Sequence, residues 1–169
     1  MAPNYVIEPL GDQHDRAAFL CGVDPLDRYI HKQAGQEMRR HVAAVFVLRT
    51  IESSAVVGYY TLSATSILPS GLPPSVTKRL PRYPSLPALL IGRLAVDQHH
   101  HEQGLGELLL TGALRRSLLL RAELGAVAVV VDAKDDRARQ FYEKYDFQRF
   151  VDHEYRLYML TQTIEQLFQ

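Results

Sequence analysis

The chain has 169 residues, of which 47% are hydrophobic, and its 19 basic side chains balance 19 acidic ones to a formal net charge of zero. This length suits one domain with a substantial buried core, so we expect a single domain over residues 1–169. No apolar run approaches the length of a membrane span, so we expect a soluble protein without a membrane partner. The zero net charge argues against general attraction to nucleic acid.

The first residues and the cysteine content bear on the compartment. Segment 1–10 contains one acid and no basic residue, so we expect no signal peptide. Cys21 is the single cysteine and cannot form an internal disulfide, which agrees with a reducing compartment and predicts the cytoplasm. A nucleophilic Cys21 would need a partner set that the sequence does not show, so we interpret this residue as structural.

The first half of the chain predicts three strands, a helix and a loop. Asp24 and Pro25 supply a cap and a proline at the start of a helix over 26–40. Segment 69–87 holds six prolines and is expected to be mostly loop, with a short helix at 75–80; we interpret it as a lid facing the substrate. The strands, of which the last two form a hairpin, are expected at 5–10, 42–48 and 56–68.

The second half predicts two buried strands, two helices and closing strands. Leu89–Val96 is a nearly continuous apolar run, typical of a central strand covered on both faces. A helix with apolar residues at helical spacing follows from Gly106, and a second buried strand comes at 126–131. We expect Val129–Val131 to flank Leu94–Val96. Asp135 and Asp136 then cap a helix over 136–145, and segments 147–150 and 155–160 close the sheet.

The segment HEQGLG at 101–106 lies where the long helix begins. Free amides at a helix N-terminus and the helix dipole together favour an anion, and glycines let phosphates approach the backbone. An ordinary tight turn has the same glycine spacing, so the glycines alone leave both readings open. The segment matches neither the G-x-x-x-x-G-K-S/T nor the G-x-G-x-x-G pattern, which disfavours a purine-nucleotide or dinucleotide loop.

At these residues the chain resembles the GNAT family of N-acetyltransferases, whose pyrophosphate loop has the pattern Q/R-x-x-G-x-G/A after a strand. Further segments resemble the branch of toxin–antitoxin toxins that acetylate aminoacyl-tRNA: FLCGVDPLDRYIHKQA (19–34), VVGYYTLSA (56–64), GRLAVD (92–97) and DAKDDRARQFYEKYDF (132–147). Two departures stand out. His101 replaces the usual glutamine or arginine, and Asp146 stands where the F-Y-x-x-x-G-F ending has glycine.

The resemblance implies a fold, a cosubstrate and a catalytic residue. The fold is a single α/β (α+β) GNAT-like domain, whose central mixed sheet is splayed between the fourth and fifth strands and flanked by helices. The cosubstrate is acetyl-CoA, without a metal, and Tyr142 protonates the departing thiolate. A strong base is unnecessary, because an α-amino group with a pKa of about 8 is partly neutral near pH 7. The implied acetyl-CoA contacts are Leu94, Ala95, Val96, His101, Glu102, Gln103, Gly104, Leu105, Gly106, Glu107 and Asp135.

Charge is uneven along the chain. Between Met38 and Val96, seven basic residues face a single acid, Glu52. A docked polyanion would need such a segment, although solvated surface arginines give the same count. The residues predicted to contact tRNA are Arg39, Arg40, Arg79, Arg82 and Arg93.

Other conspicuous residues favour ordinary roles. His99, His100 and His101 are adjacent in a loop and lack further ligands nearby, which disfavours a metal site. Tyrosines in an apolar strand or helix are more often core residues than stacking partners for bases, and we interpret Tyr59, Tyr60 and Tyr145 in this way. Without the resemblance, Tyr142 would also be interpreted as a packing residue.

Three functions remain open at this stage. The first is a toxin that acetylates aminoacyl-tRNA and stops translation, paired with a ribbon-helix-helix antitoxin and reaching DNA only through that complex. The second is an N-acetyltransferase for a small-molecule or protein amine. The third is a catalytically silent module that binds an antitoxin as a corepressor, and the sequence leaves a homodimer open.

Overall fold

The computed structural model describes residues 4–169. Segment 1–10, for which no signal peptide is expected, therefore lies partly outside the described residues. Seven strands are present: β1 Tyr5–Pro9, β2 Ala44–Thr50, β3 Gly58–Ile67, β4 Leu86–Val96, β5 Ala128–Asp132, β6 Gln148–Arg149 and β7 Arg156–Leu160. The helices are α1 Asp24–Arg28, α2 Ala34–Arg39, α3 Pro74–Thr77, α4 Leu105–Leu124, α5 Asp136–Lys144 and α6 Thr161–Leu167. A π-helical turn, Tyr29–Gln33, joins α1 to α2.

The strands form one mixed sheet in the order β1-β2-β3-β4-β5-β7-β6. The predicted hairpin is confirmed, because β2 and β3 pair antiparallel. Strands β4 and β5 pair parallel. This arrangement confirms the predicted mixed α/β sheet. None of the described helices is both long and apolar enough to cross a membrane.

The predicted register of the two buried strands is wrong. Val129–Val131 pairs with Leu89–Ile91 rather than with Leu94–Val96. Both strands are continuous apolar runs, so no alternation of polar and apolar residues marks which residues lie opposite each other. The register pairs of β4 with β5 end at Ile91, and β4 continues for five residues to Val96, in agreement with the predicted divergence of the fourth and fifth strands.

The predicted cap of the first helix is also wrong. Asp24 and Pro25 are the first helical residues, and Val23 precedes them without a side-chain hydrogen bond. The side chain that ties the helix to the preceding loop is Asp27, which is buried. Its carboxylate accepts hydrogen bonds from the Cys21 N–H at 2.7 Å and from the next amide at 3.3 Å. A carboxylate inside the first turn therefore replaces the expected cap.

The described chain divides into two compact units. The first unit contains the residues up to Ser63 together with Gly92–Ala113. Its core confirms the structural interpretation of two tyrosines, since Tyr59 and Tyr60 are fully buried. The Tyr59 ring stacks on Tyr29 with centroids 6.0 Å apart, and its hydroxyl donates to the Leu26 carbonyl at 2.6 Å.

The second unit contains Ala64–Ile91 and Leu114–Gln169. Its core includes Phe150 and Tyr158, whose rings meet edge to face with centroids 5.0 Å apart. Helix α6 belongs to this unit and was not predicted. The predicted short helix before β4 is present as α3, and the lid role of segment 69–87 stays a prediction.

Candidate functional site

The loop at 101–106 leads directly into the first turn of α4. Gly104 has φ +75°, the left-handed region that glycine adopts without strain. The Leu108 N–H donates to the Gly104 carbonyl at 3.1 Å, so Gly104 marks the start of the helix. Helix geometry leaves the next three amides, those of Leu105, Gly106 and Glu107, without intrahelical acceptors. A Cβ atom at Gly104 would meet no atom within 4 Å, so the space beside Gly104 at the start of the helix is open.

Asp97 holds the start of this loop. The residue directly follows β4 and is only 6% exposed. One carboxylate oxygen accepts the Leu20 N–H at 3.0 Å, and the other accepts the His99 N–H at 2.9 Å. Burial raises the pKa of Asp97. The hydrogen bonds together lower it by a larger amount, so its pKa lies below the ordinary value. Asp97 is not among the predicted site residues, although an acid directly after a buried strand was a usable signal.

Two side chains of the loop are directed to neighbouring parts of the first unit. His101 donates from Nε2 to the Val96 carbonyl at 2.9 Å, and Gln103 accepts a hydrogen bond from the Tyr5 hydroxyl at 3.2 Å. His99 and His100 each approach Asp97 at 3.4 Å. His101 is thus directed to the Val96 carbonyl rather than to the Asp97 carboxylate. Within residues 4–169, no group of three or more histidine, cysteine or acidic side chains is placed to hold a metal ion.

Helix α4 packs closely on the strands of the first unit. A Cβ atom at Gly58 would lie 2.9 Å from Leu109 Cδ1 and 3.2 Å from the Ala95 carbonyl oxygen. A Cβ atom at Gly112 would lie 2.8 Å from Ile7 Cδ1. A larger residue at either glycine would force a neighbouring atom to shift, and at Gly58 one of those atoms is the backbone oxygen of Ala95, so the first turns of α4 pack closely beside the end of β4.

Tyr142 lies on α5 in the second unit. Its ring is 8% exposed and contacts Phe147 edge to face with centroids 5.5 Å apart. In the described part of the chain, its hydroxyl has no hydrogen-bond partner. Burial, with a smaller contribution from the Asp132 charge, raises the pKa of Tyr142 above its ordinary value. The phenol therefore keeps its proton at neutral pH, as a proton donor must.

The other predicted residues of α5 have structural roles. Asp135 is the N-cap, since its carboxylate accepts the Ala138 N–H at 2.8 Å, and it also pairs with Lys134 at 3.0 Å. Its contact with a cosubstrate stays a prediction. Tyr145 follows the last turn and packs on Phe141 with centroids 5.2 Å apart. Asp146 has φ +73°, which explains why the related pattern has glycine there.

The five predicted RNA-binding arginines are divided between the units, with Arg39, Arg40 and Arg93 in the first and Arg79 and Arg82 in the second. The Arg93 guanidinium stacks 3.7 Å from the centre of the Tyr29 ring, and Arg79 donates to the Gln162 side chain at 3.2 Å. None of the five forms an ion pair with a carboxylate among the residues that the structure describes. No carboxylate among residues 4–169 therefore neutralises their positive charges by a direct ion pair.

Comparison with known sequences identifies the family. A family model described as an acetyltransferase (GNAT) domain matches residues 43–149. A protein of Sinorhizobium fredii named probable toxin TacT is 30% identical over 98% of this chain and 96% of its own length. A tRNA-acetylating toxin of Mycobacterium tuberculosis is 33% identical over 82% of this chain and 81% of its own length.

Comparison with solved structures agrees. AtaT complexed with acetyl-methionyl-tRNAfMet is 29% identical and covers 98% of this chain and 100% of its own, with a TM-score of 0.90. A tyrosine-to-phenylalanine mutant of AtaT, bound to the C-terminus of the antitoxin AtaR and acetyl-CoA, is 25% identical with a TM-score of 0.82, covering 98% of each chain. The open amides after β4, the fold and the sequence matches together show that this chain belongs to the GNAT family of acetyltransferases.

Proposed function

We propose that this protein is an acetyl-CoA-dependent toxin that acetylates the α-amino group of aminoacyl-tRNA and so blocks translation. The observation that carries the proposal is the open helix start at Gly104, in a chain that is similar along most of its length to tRNA-acetylating toxins. The cytoplasm, where charged tRNA is found, is the expected compartment.

The geometry of the first unit supports the proposed acetyl-CoA contacts. The amides of Gln103–Glu107 bind the pyrophosphate, because they lie at the positive end of the 20-residue helix α4. The backbone of Leu94–Val96 lies along the pantetheine arm and orients the acetyl group, and an N–H there stabilises the developing oxyanion. His101 contributes by holding the Val96 carbonyl, which fixes the loop against the strand.

The chemistry is a transfer of the acetyl group from sulfur to nitrogen. The neutral amine attacks the thioester carbonyl, the carbon–sulfur bond breaks, and the Tyr142 hydroxyl donates its proton to the departing thiolate. Solvent then returns a proton to the Tyr142 oxygen. An α-amino group with a pKa of about 8 is roughly one tenth neutral near pH 7, so solvent suffices to take the proton that the amine loses. The raised pKa of Tyr142 keeps the acid form populated.

The substrate and partners follow from the charges and the relatives. Five arginines that form no ion pair with the described carboxylates supply contacts to an RNA backbone, and AtaT has been captured with an acetylated aminoacyl-tRNA. AtaT also binds an antitoxin, so we infer a neutralising antitoxin here, of the ribbon-helix-helix type, with DNA reached only through that complex.

One labelling experiment tests this function. Purified protein is incubated with radiolabelled acetyl-CoA and total charged tRNA, and separately with deacylated tRNA and a set of small amines. Label on charged tRNA alone is the expected result. Label on small amines alone would favour a small-molecule acetyltransferase, and label on none of them would favour a silent antitoxin-binding module.

A further inference from the structure

Two guanidinium groups converge over a glycine on α2. A Cβ atom placed on Gly35 would lie 3.2 Å from Arg39 Nη1 and 3.7 Å from Arg16 Nη1. The two nitrogens are therefore no more than about 7 Å apart, which is inside the screening length of about 8 Å at physiological salt. Gly35 has no side chain, so it leaves the space between the two guanidinium groups unfilled.

The π-helical turn holds one of these arginines in place. The Ala34 N–H donates to the Tyr29 carbonyl, five residues back, so the Ile30 carbonyl loses the donor that an α-helix would supply. Arg16 Nη1 donates to that carbonyl at 3.1 Å. Arg16 comes from the loop after β1 and is half-buried, so its guanidinium is positioned by the fold rather than free in solvent.

The acids near this pair are occupied elsewhere. Glu37 accepts the Tyr29 hydroxyl at 2.9 Å, and Asp15 accepts the Ala17 N–H at 3.0 Å. In the part of the chain that the structure describes, neither Arg16 nor Arg39 forms an ion pair. The segment from Arg28 to His41 contains four arginine or lysine residues and one acid, Glu37. Two like charges held this close repel each other, and an anion between them removes that repulsion.

We propose that Arg16 and Arg39 form a clamp over Gly35 that binds one phosphodiester of the RNA backbone, an inference that rests on the proposed function. A phosphate matches the planar fork of a guanidinium, and two forks can share its oxygens. A contact to phosphate carries no sequence information, so the clamp holds the RNA backbone regardless of sequence. Its role is to position the substrate, and Arg16 is a contact that the sequence analysis did not identify.

Charge removal is the first test. Arg16→Gln and Arg39→Gln should each reduce the slope of log affinity for charged tRNA against log salt by about one and weaken binding about tenfold at low salt. Both variants should raise KM for charged tRNA, whereas the rate on an aminoacylated CCA trinucleotide, which lacks the rest of the RNA backbone, should not change. Arg149→Gln is the matched control, because that guanidinium already bonds Glu143 at 2.9 Å.

Filling the space is the second test and keeps both charges. Gly35→Ala and Gly35→Met both improve helix propensity, so both variants should fold at least as stably as the wild type. The Ala methyl group requires Arg39 to shift by only a few tenths of an ångström, whereas the longer Met side chain occupies the space between the two guanidiniums. We expect KM for charged tRNA to rise severalfold in Gly35→Met and to change little in Gly35→Ala.

The outcomes separate this clamp from the proposed function. A wild-type protein that acetylates charged tRNA, with unchanged salt slopes and KM values in the arginine variants, would refute the clamp alone. A wild-type protein that acetylates no charged tRNA would refute the proposed function and the clamp with it. Arginine variants that keep tRNA binding but lose antitoxin binding would assign the pair to a protein partner and would also refute the clamp.

Discussion

Replacing Tyr142 of α5 by phenylalanine removes one oxygen and keeps the packed ring. The ring lies against Phe141 and Phe147, with centroids 5.2 and 5.5 Å away. Because the hydroxyl has no hydrogen-bond partner among residues 4–169, its removal leaves no described polar group unpaired. We therefore expect the free energy of unfolding to change by less than about 0.5 kcal/mol.

The kinetic effect should be large in comparison. A positioned general acid contributes about 10² to 10⁴ in rate, so Tyr142→Phe should slow acetyl transfer at least about a hundredfold, or about 2.7 kcal/mol of activation free energy. Burial raises the pKa of Tyr142, so the wild-type rate should not fall between about pH 7 and about pH 10 through loss of this proton. Acetyl-CoA affinity should stay near the wild-type value.

The assay is single-turnover transfer to charged tRNA at saturating acetyl-CoA. Tyr145→Phe is the control, because this residue follows the same helix and also packs on Phe141, but has no assigned role. The control should react at the wild-type rate, and toxicity in cells should fall only with Tyr142→Phe. A wild-type rate in Tyr142→Phe would remove this residue from the chemistry.

Three further predictions concern binding and stability. Gly104→Val should weaken acetyl-CoA binding at least tenfold by calorimetry, whereas Gly125→Val, with a similar φ of +66° and equally open surroundings, should lose stability without losing affinity. Asp97→Ala leaves two amides unpaired, so it should lower unfolding free energy by about 2 kcal/mol in denaturant titrations and weaken acetyl-CoA binding. Hydrogen bonds from Arg49 and His14 lower the pKa of Glu8 to about 2. The contribution of Glu8 to the free energy of unfolding is therefore present above about pH 4.5 and lost as the pH falls toward 2. The difference in melting temperature between wild type and Glu8→Gln should therefore shrink over that interval, and a constant difference would contradict the assignment.

The sequence predicted the part of the site that depends on local geometry. The glycine spacing placed a helix start after a buried strand, and Gly104 and α4 have that arrangement. Asp146 stands where the related pattern has glycine, and its φ of +73° lies in the left-handed region that glycine favours. Such features depend on a few neighbouring residues, whose conformational preferences are visible in the chain itself.

Features that depend on distant residues were missed. The register of β4 against β5 was wrong because two uniformly apolar runs carry no alternation that fixes it. The π-helical turn accompanies a hydrogen bond from Arg16, fourteen residues before its acceptor Ile30. Helix α6 is tied down by the Thr161 hydroxyl on the Ala126 carbonyl at 2.7 Å and by an ion pair of Arg121 at 2.9 Å, contacts that its own short sequence does not reveal.

The close seating of α4 on its strands has a thermodynamic consequence for ligand binding. Gly58 on β3 lets Leu109 of the helix come close, and Gly112 on the helix lets Ile7 come close, so the first turns of α4 are tightly packed. An anion arriving at Gly104 thus finds its donors already aligned, and little conformational entropy is lost when they engage it. Association should then be a single bimolecular step, with an observed rate that rises linearly with acetyl-CoA concentration and does not level off at a slow rearrangement. The loop is in this sense a preorganised receptor, and its rigidity comes from two residues that never touch the ligand.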